Sequence, residues 1–146
     1  MSVVFFDIDN FKRLNDRFGH ETGDSVLADV ARQATEMLSP QELLFRWGGE
    51  EFVVLLSHTG RDAALAFAER LRSRIEEGVK VDDDEGQVTV TISLGVSSAD
   101  PPDFDEGALV RKADAALYQA KASGKNRVVT DWMMRGTTGS HSQPIG

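Results

Sequence analysis

The stretch "FRWGGEEFVVLL", Phe45 to Leu56, decides the fold. Two glycines between apolar flanks read as a tight hairpin turn, because Gly48 and Gly49 can both take φ > 0 without steric cost, as a two-residue hairpin turn requires. The run Phe52–Leu56 is apolar at consecutive positions rather than alternating, which predicts a central strand covered on both faces. Glu50 and Glu51 therefore sit where a buried strand leaves a turn. A charge there has to be solvated, paired or bound to a cation.

Upstream, Val3–Phe6 is a short apolar run ending in Asp7, Ile8 and Asp9, and reads as a second buried strand. Asp9 is expected to cap a short helix over Asn10 to Arg17. The segment Phe18–Gly23 reads as a loop, with a long helix starting near Asp24. Its inward stripe is Val26, Leu27, Val30, Ala31, Ala34, Met37 and Leu38. Downstream, a helix is predicted over Arg61 to Glu77, with Ala64, Leu65, Ala68, Leu71 and Ile75 inward. Asp82–Gly86 reads as a solvated acidic turn. Gln87 to Ser98 has strong β character. A last helix over Asp105 to Ser123 ends at Gly124, a plausible C′ residue, and Arg127–Thr130 makes a final strand. Strands alternating with helices, together with a hairpin, predict an α+β fold: a mixed sheet with helices packed on it. Residues 135–146 are rich in Gly, Ser and Thr and are expected to form a flexible tail.

The 146 residues fit one domain, and 40% hydrophobic with 27% charged residues is ordinary for a globular chain. A net charge of −8 makes the chain a poor candidate for wrapping a nucleic acid polymer. Cysteine is absent, which is compatible with a reducing compartment. No apolar run is long enough to cross a bilayer and no signal peptide is read, so a cytoplasmic location is expected.

Asp7 and Asp9, two apart at a strand end, share a face of an ideal strand. If that strand lies beside the hairpin, Asp7 and one of the two glutamates converge. Converging carboxylates suit Mg²⁺, which adds waters and phosphate oxygens to a few protein ligands. The alternative is that these acids cap helices and decorate a turn, and Asp9 fits a cap better than a ligand. Lys121 and Lys125 lie one turn apart around the end of the last helix. They could grip phosphates, or simply complement the helix dipole. His20, in a Gly-flanked segment, reads as structural.

Four segments then share one resemblance: "FFDIDNFKRLNDRFGHETGDSVL", "RWGGEEF", "VTISLGV" and "ADAALYQAKASGKNRV". Their order and spacing, covering nearly all of Val3 to Val129, resemble the GGDEF family of diguanylate cyclases in its GGEEF form. The resemblance implies a ferredoxin-like palm with a mostly antiparallel central sheet, similar to class III nucleotidyl cyclases. It also implies condensation of two GTP into cyclic di-GMP, with Mg²⁺ or Mn²⁺ as cofactor and a homodimer as the working unit. By the resemblance, Asp7, the Ile8 carbonyl and Glu50 hold metal, and Glu51 serves the metal site or proton removal. Asn15 and Asp24 bind guanine. The amides of Asn10, Phe11 and Lys12 cradle phosphate, Gly48 and Gly49 let the nucleotide approach, and Lys12, Lys121 and Lys125 meet phosphates. The family's inhibitory Arg-x-x-Asp site for its product is expected to be absent, since Ser39 and Glu42 stand in its place and only Arg70 of a second arginine remains. The family's N-terminal helix and an upstream sensor domain are expected to be missing, leaving a catalytic domain over 1–134. Two other readings stay open: a non-catalytic GTP-binding regulatory module, and another palm-type nucleotidyl transferase.

Overall fold

The computed structural model describes residues 1–100 and 105–134. The expected flexible tail over 135–146 lies outside the described residues. The chain runs β1 (Ser2–Ile8), α1 (Phe11–Phe18), α2 (His20–Glu36), β2 (Leu43–Arg46), β3 (Glu51–Leu56), α3 (Arg61–Gly78), β4 (Lys80–Asp83), β5 (Gly86–Thr89), β6 (Ile92–Ser98), α4 (Glu106–Ala122) and β7 (Val128–Thr130). The main sheet has the order β2-β3-β1-β6-β7. Its pairings are antiparallel except β6 with β7, which α4 joins as a parallel crossover. The fold is thus a mixed α/β domain with helices on both faces of a central sheet.

Alternation along the strands divides two cores. Val4, Phe6 and Ile8 of β1 join Phe52, Val54, Leu56, Ile92, Leu94 and Val96 under α2 and α3. Val3, Phe5 and Val53 meet Leu109, Ala113 and Leu117 of α4 on the opposite face. Both faces of β1 are therefore covered, which is why its sequence is apolar at consecutive positions. Burying each large side chain such as Phe6, Leu71 or Ile75 contributes about 1.5–3 kcal/mol. Gly95 lets α4 approach: a Cβ there would overlap the Ala113 carbonyl oxygen and the Leu117 amide nitrogen and lie 2.9 Å from the Ala116 carbonyl carbon.

Several local expectations are corrected. Gly48 and Gly49 do not take positive φ; among the described residues the glycines that do are Gly19, Gly86 and Gly124. The turn is longer than two residues, because Arg46 pairs with Phe52 and the chain between them loops out. The amides of Trp47 and Gly48 share the Glu51 carbonyl at 2.8 and 3.3 Å. Helix α2 starts at His20 rather than Asp24, separated from α1 by Gly19 alone (φ 92°). The β segment over 87–98 is split. β5 pairs with β4 in a separate two-stranded sheet, and β6 enters the main sheet. On α3 the buried aromatic is Phe67, while Leu65 stays half-buried. Among the described residues no helix is long and apolar enough to cross a membrane.

Candidate active site

Asp7 lies near the end of β1, directly opposite Glu51 of β3 on one side and Ser93 of β6 on the other. Residues opposite one another in an antiparallel pair share a face, so Asp7 and Glu51 both turn toward α4. Asp7 is 3% exposed. One of its oxygens forms an ion pair with Lys121, and the other, Oδ1, is buried with no hydrogen-bond partner. Burial pushes the Asp7 carboxyl up to about 6; Lys121 opposes that shift, while the charges of Asp9 and Glu50 add to it. Lys121 loses basicity through burial, but its bond to Asp7 and the charges of Asp7, Glu51 and Glu50 raise it above its ordinary value overall. An aspartate with a buried orphan oxygen, beside two glutamates, is a site short of positive charge.

The glutamate turn is held from below. The Ile8 amide donates to the Glu50 carbonyl at 3.3 Å. Arg46 donates through Nε to the Gly48 carbonyl at 3.2 Å and through Nη2 to the Gly49 carbonyl at 2.6 Å. A Cβ on Gly48 would sit 2.9 Å from Oε1 of Glu51. Glycine at 48 therefore makes room for a carboxylate rather than supplying a left-handed turn. Asp7, Glu50 and the Ile8 carbonyl are the hard oxygen groups that could hold a cation there. Among the described residues no three acidic or imidazole groups form a cage by themselves. Waters and phosphate oxygens would have to complete the shell, as is usual for Mg²⁺.

Asp9 is not a helix cap. It is buried and accepts from Thr91 Oγ1 (2.7 Å), Ser93 Oγ (2.6 Å) and the Asn126 amide (3.0 Å). Asn10 precedes α1 in a left-handed conformation (φ 57°) with no side-chain cap bond. Its Oδ1 instead accepts from Lys125 Nζ at 2.7 Å. Gly124, Lys125 and Asn126 are all left-handed, which folds the loop after α4 back over the start of α1. Asn126 also accepts from Arg72 Nη1 at 3.0 Å and donates to Glu76 at 2.9 Å, tying that loop to α3. The structure thus brings Lys121 to Asp7 and Lys125 to Asn10. Lys12 is exposed, 3.7 Å from Asp16. Phe11 is half-buried against the core.

Asn15 on α1 and Asp24 on α2 flank the seam between the two helices. Asn15 is half-buried with Oδ1 unpartnered, and Asp24 is exposed. His20 is exposed at the start of α2 and takes no part in this cluster. Ser39, Glu42 and Arg70 lie outside it, on the turn before β2 and on α3. The residues that sequence reasoning missed are Thr91, Ser93, Asn126 and the Arg72–Glu76 pair. The only local signal was an asparagine after Gly-Lys, since asparagine tolerates the left-handed region.

A family model described as "Diguanylate cyclase, GGDEF domain" matches residues 1–127. Diguanylate cyclase A of Treponema denticola is 42% identical over 128 residues, which are 88% of this chain and 34% of that protein. The chain spans about a third of the length of such curated relatives. Among solved structures, the GGDEF domain of DgcB from Caulobacter crescentus in complex with c-di-GMP superposes with a TM-score of 0.82 at 29% identity, covering 89% of this chain and 77% of that one. The active GGEEF domain of a diguanylate cyclase from Vibrio cholerae gives 0.80 at 37% identity, covering 88% and 81%.

Proposed function

The chain belongs to the GGDEF family of diguanylate cyclase domains, and from that membership we propose that it joins two GTP molecules into cyclic di-GMP and releases two pyrophosphates. Gly48–Phe52 is read as the GGEEF form of the motif, the form named for the Vibrio cholerae neighbour. The observation that carries the reading is Asp7. A carboxylate buried to 3% exposure with an orphan oxygen is unfavourable for folding alone, and it is explained by a ligand that brings positive charge.

Asp7, the Ile8 carbonyl and Glu50 would hold Mg²⁺ or Mn²⁺, which when bound supplies charge neutralisation at the phosphate oxygens. Lys125 and the free amides at the start of α1 bind the phosphates. Lys121 joins them once its claim on Asp7 is released. Asp24 accepts from guanine N1–H and N2–H₂, a pattern that adenine lacks, and Asn15 completes base recognition. Glu51, on the same face as Asp7, is the carboxylate assigned to taking the proton of the attacking 3′-hydroxyl. One chain supplies one such half-site, so two chains facing each other are required.

The test is incubation with GTP and Mg²⁺ or Mn²⁺, with chromatography for cyclic di-GMP. Product formation is expected. GTP binding without product at high protein concentration would replace this reading with that of a GTP-binding regulatory module.

A further inference from the structure

Gly23 lies inside α2, one residue before Asp24, and is buried. Its φ is not positive, so the backbone there does not require glycine. Helix propensity argues against it, since only proline is a poorer helix former. The reason has to be space. A Cβ at position 23 would overlap Oδ1 of Asn15 outright, lie 2.8 Å from its Cγ and 3.3 Å from Cζ of Phe11. That Oδ1 is one of two buried side-chain atoms without a partner among the described residues; the other is Asp7 Oδ1 in the proposed metal site. The missing side chain of Gly23 is therefore a slot, and the carbonyl end of the Asn15 carboxamide fills it.

A carboxamide is ambivalent: one end accepts, the other donates, and a half-turn about Cβ–Cγ exchanges them unless packing holds one end in place. With Oδ1 sunk against the α2 backbone, the NH₂ end is the one left for a ligand at the α1–α2 seam. The exposed Asp24 carboxylate can only accept. A fixed donor beside a fixed acceptor complements guanine, whose O6 accepts while N1–H donates. It opposes adenine, whose 6-amino group donates while N1 accepts.

We propose that Gly23 sets base selectivity by seating the Asn15 carboxamide in its donor orientation. Gly23 is thus a positioning residue, and its role rests on the reading of Asn15 and Asp24 as the base-recognition pair.

The experiment measures GTP and ATP affinity by calorimetry for the full chain, Gly23→Ala, Asn15→Ala and the double variant, with thermal unfolding recorded for each. The wild type is expected to prefer GTP. Gly23→Ala should lose at least about tenfold of that preference, the size of one hydrogen bond in a binding site. The loss should come mainly through weaker GTP binding. In the Asn15→Ala background the slot is empty, so adding Gly23→Ala should cost nothing further. If Gly23→Ala alone fails to fold, the double variant still should fold and bind GTP as Asn15→Ala does. A purely structural role would weaken both nucleotides alike and leave the preference intact, and that result overturns the proposal. So do additive losses in the double variant, or its failure to fold. A wild type that prefers neither nucleotide removes the guanine reading and this inference together. A selective wild type with an equally selective Gly23→Ala removes this inference alone.

Discussion

Burial raises the Asp7 carboxyl from 3.8 to about 6 even though Lys121 is bonded to it. The folded chain therefore holds the Asp7 proton more tightly than the unfolded chain does. The stabilisation linked to that proton is fully present below about pH 4 and is lost as pH rises through 6. A shift of this size corresponds to roughly 3 kcal/mol at most. Asn at this position stays neutral at every pH. In chelator-treated buffer, Asp7→Asn is expected to be more stable than the wild type at pH 8, with the gap closing toward pH 4, and to have no cyclase activity. Urea unfolding at fixed ionic strength across that range checks it. A gap that does not change with pH would mean that Lys121 fully compensates the charge. Glu50 behaves differently. It is half-buried on a turn, and no hydrogen bond of its side chain is found among the described residues. Glu50→Gln should abolish turnover and leave the unfolding free energy within about 0.5 kcal/mol. A wild-type rate in that variant would mean that the carboxylate is not part of the metal site.

Among the elements, α4 couples folding most directly to the site, because it carries Lys121 and leads into Lys125. Its seat is Gly95, where an added Cβ would meet backbone atoms of Ala113, Ala116 and Leu117, which cannot move independently of the helix. Gly95→Ala should therefore lift α4 off the sheet, cost about 1–3 kcal/mol, and weaken GTP binding by carrying Lys121 away from the phosphate site. Chemical unfolding together with nucleotide titration measures both, and an unchanged midpoint would show that the helix slides to make room. The helices themselves were legible, since the stripes of α2, α3 and α4 repeat with helical spacing and end near Pro40, Gly78 and Gly124. Where reading failed, a distant partner had overridden a local preference. Asp9 looked like a cap, but Thr91, Ser93 and Asn126 claim its carboxylate from across the sheet. The segment 18–23 looked like a loop because glycines frame it, whereas Gly23 serves as the seat of Asn15 inside a helix. The β run over 87–98 breaks because the Val90 amide bonds to Val79 while the Thr91 carbonyl accepts from Asp9. The candidate site residues could be named from the motif segments. The register that sets Asp7 opposite Glu51, and the ion pair with Lys121, depend on contacts that no local pattern encodes.

At the scale of the whole molecule, one chain offers one base seam and one phosphate cradle, so on the proposed reading it holds one GTP. The 3′-hydroxyl of one nucleotide must then reach the α-phosphorus of another on a second chain related by two-fold symmetry. Specific activity should rise with protein concentration, and a flat value across a dilution series in which the protein stays monomeric would refute the requirement. The same surface logic bears on feedback by the product. A cyclic dinucleotide held by an Arg-x-x-Asp pair needs a guanidinium for phosphate and a free carboxylate for guanine. Ser39 supplies no cation. The Glu42 carboxylate is already engaged, accepting from the Ser39 amide at 2.9 Å while the Glu42 amide donates back to the Ser39 carbonyl at 3.0 Å. This turn is closed on itself through Oε1 of Glu42, which holds the carboxylate against the Ser39 backbone. Arg70 is exposed on α3, but alone it offers one phosphate contact rather than a clamp. Cyclic di-GMP added to a pyrophosphate-release assay is therefore expected to leave the maximal rate unchanged at low product concentration, with any slowing overcome by more GTP. A fall in maximal rate that disappears in Arg70→Ala would show that the Ser39–Glu42 turn opens to the product and that one arginine is enough to hold it.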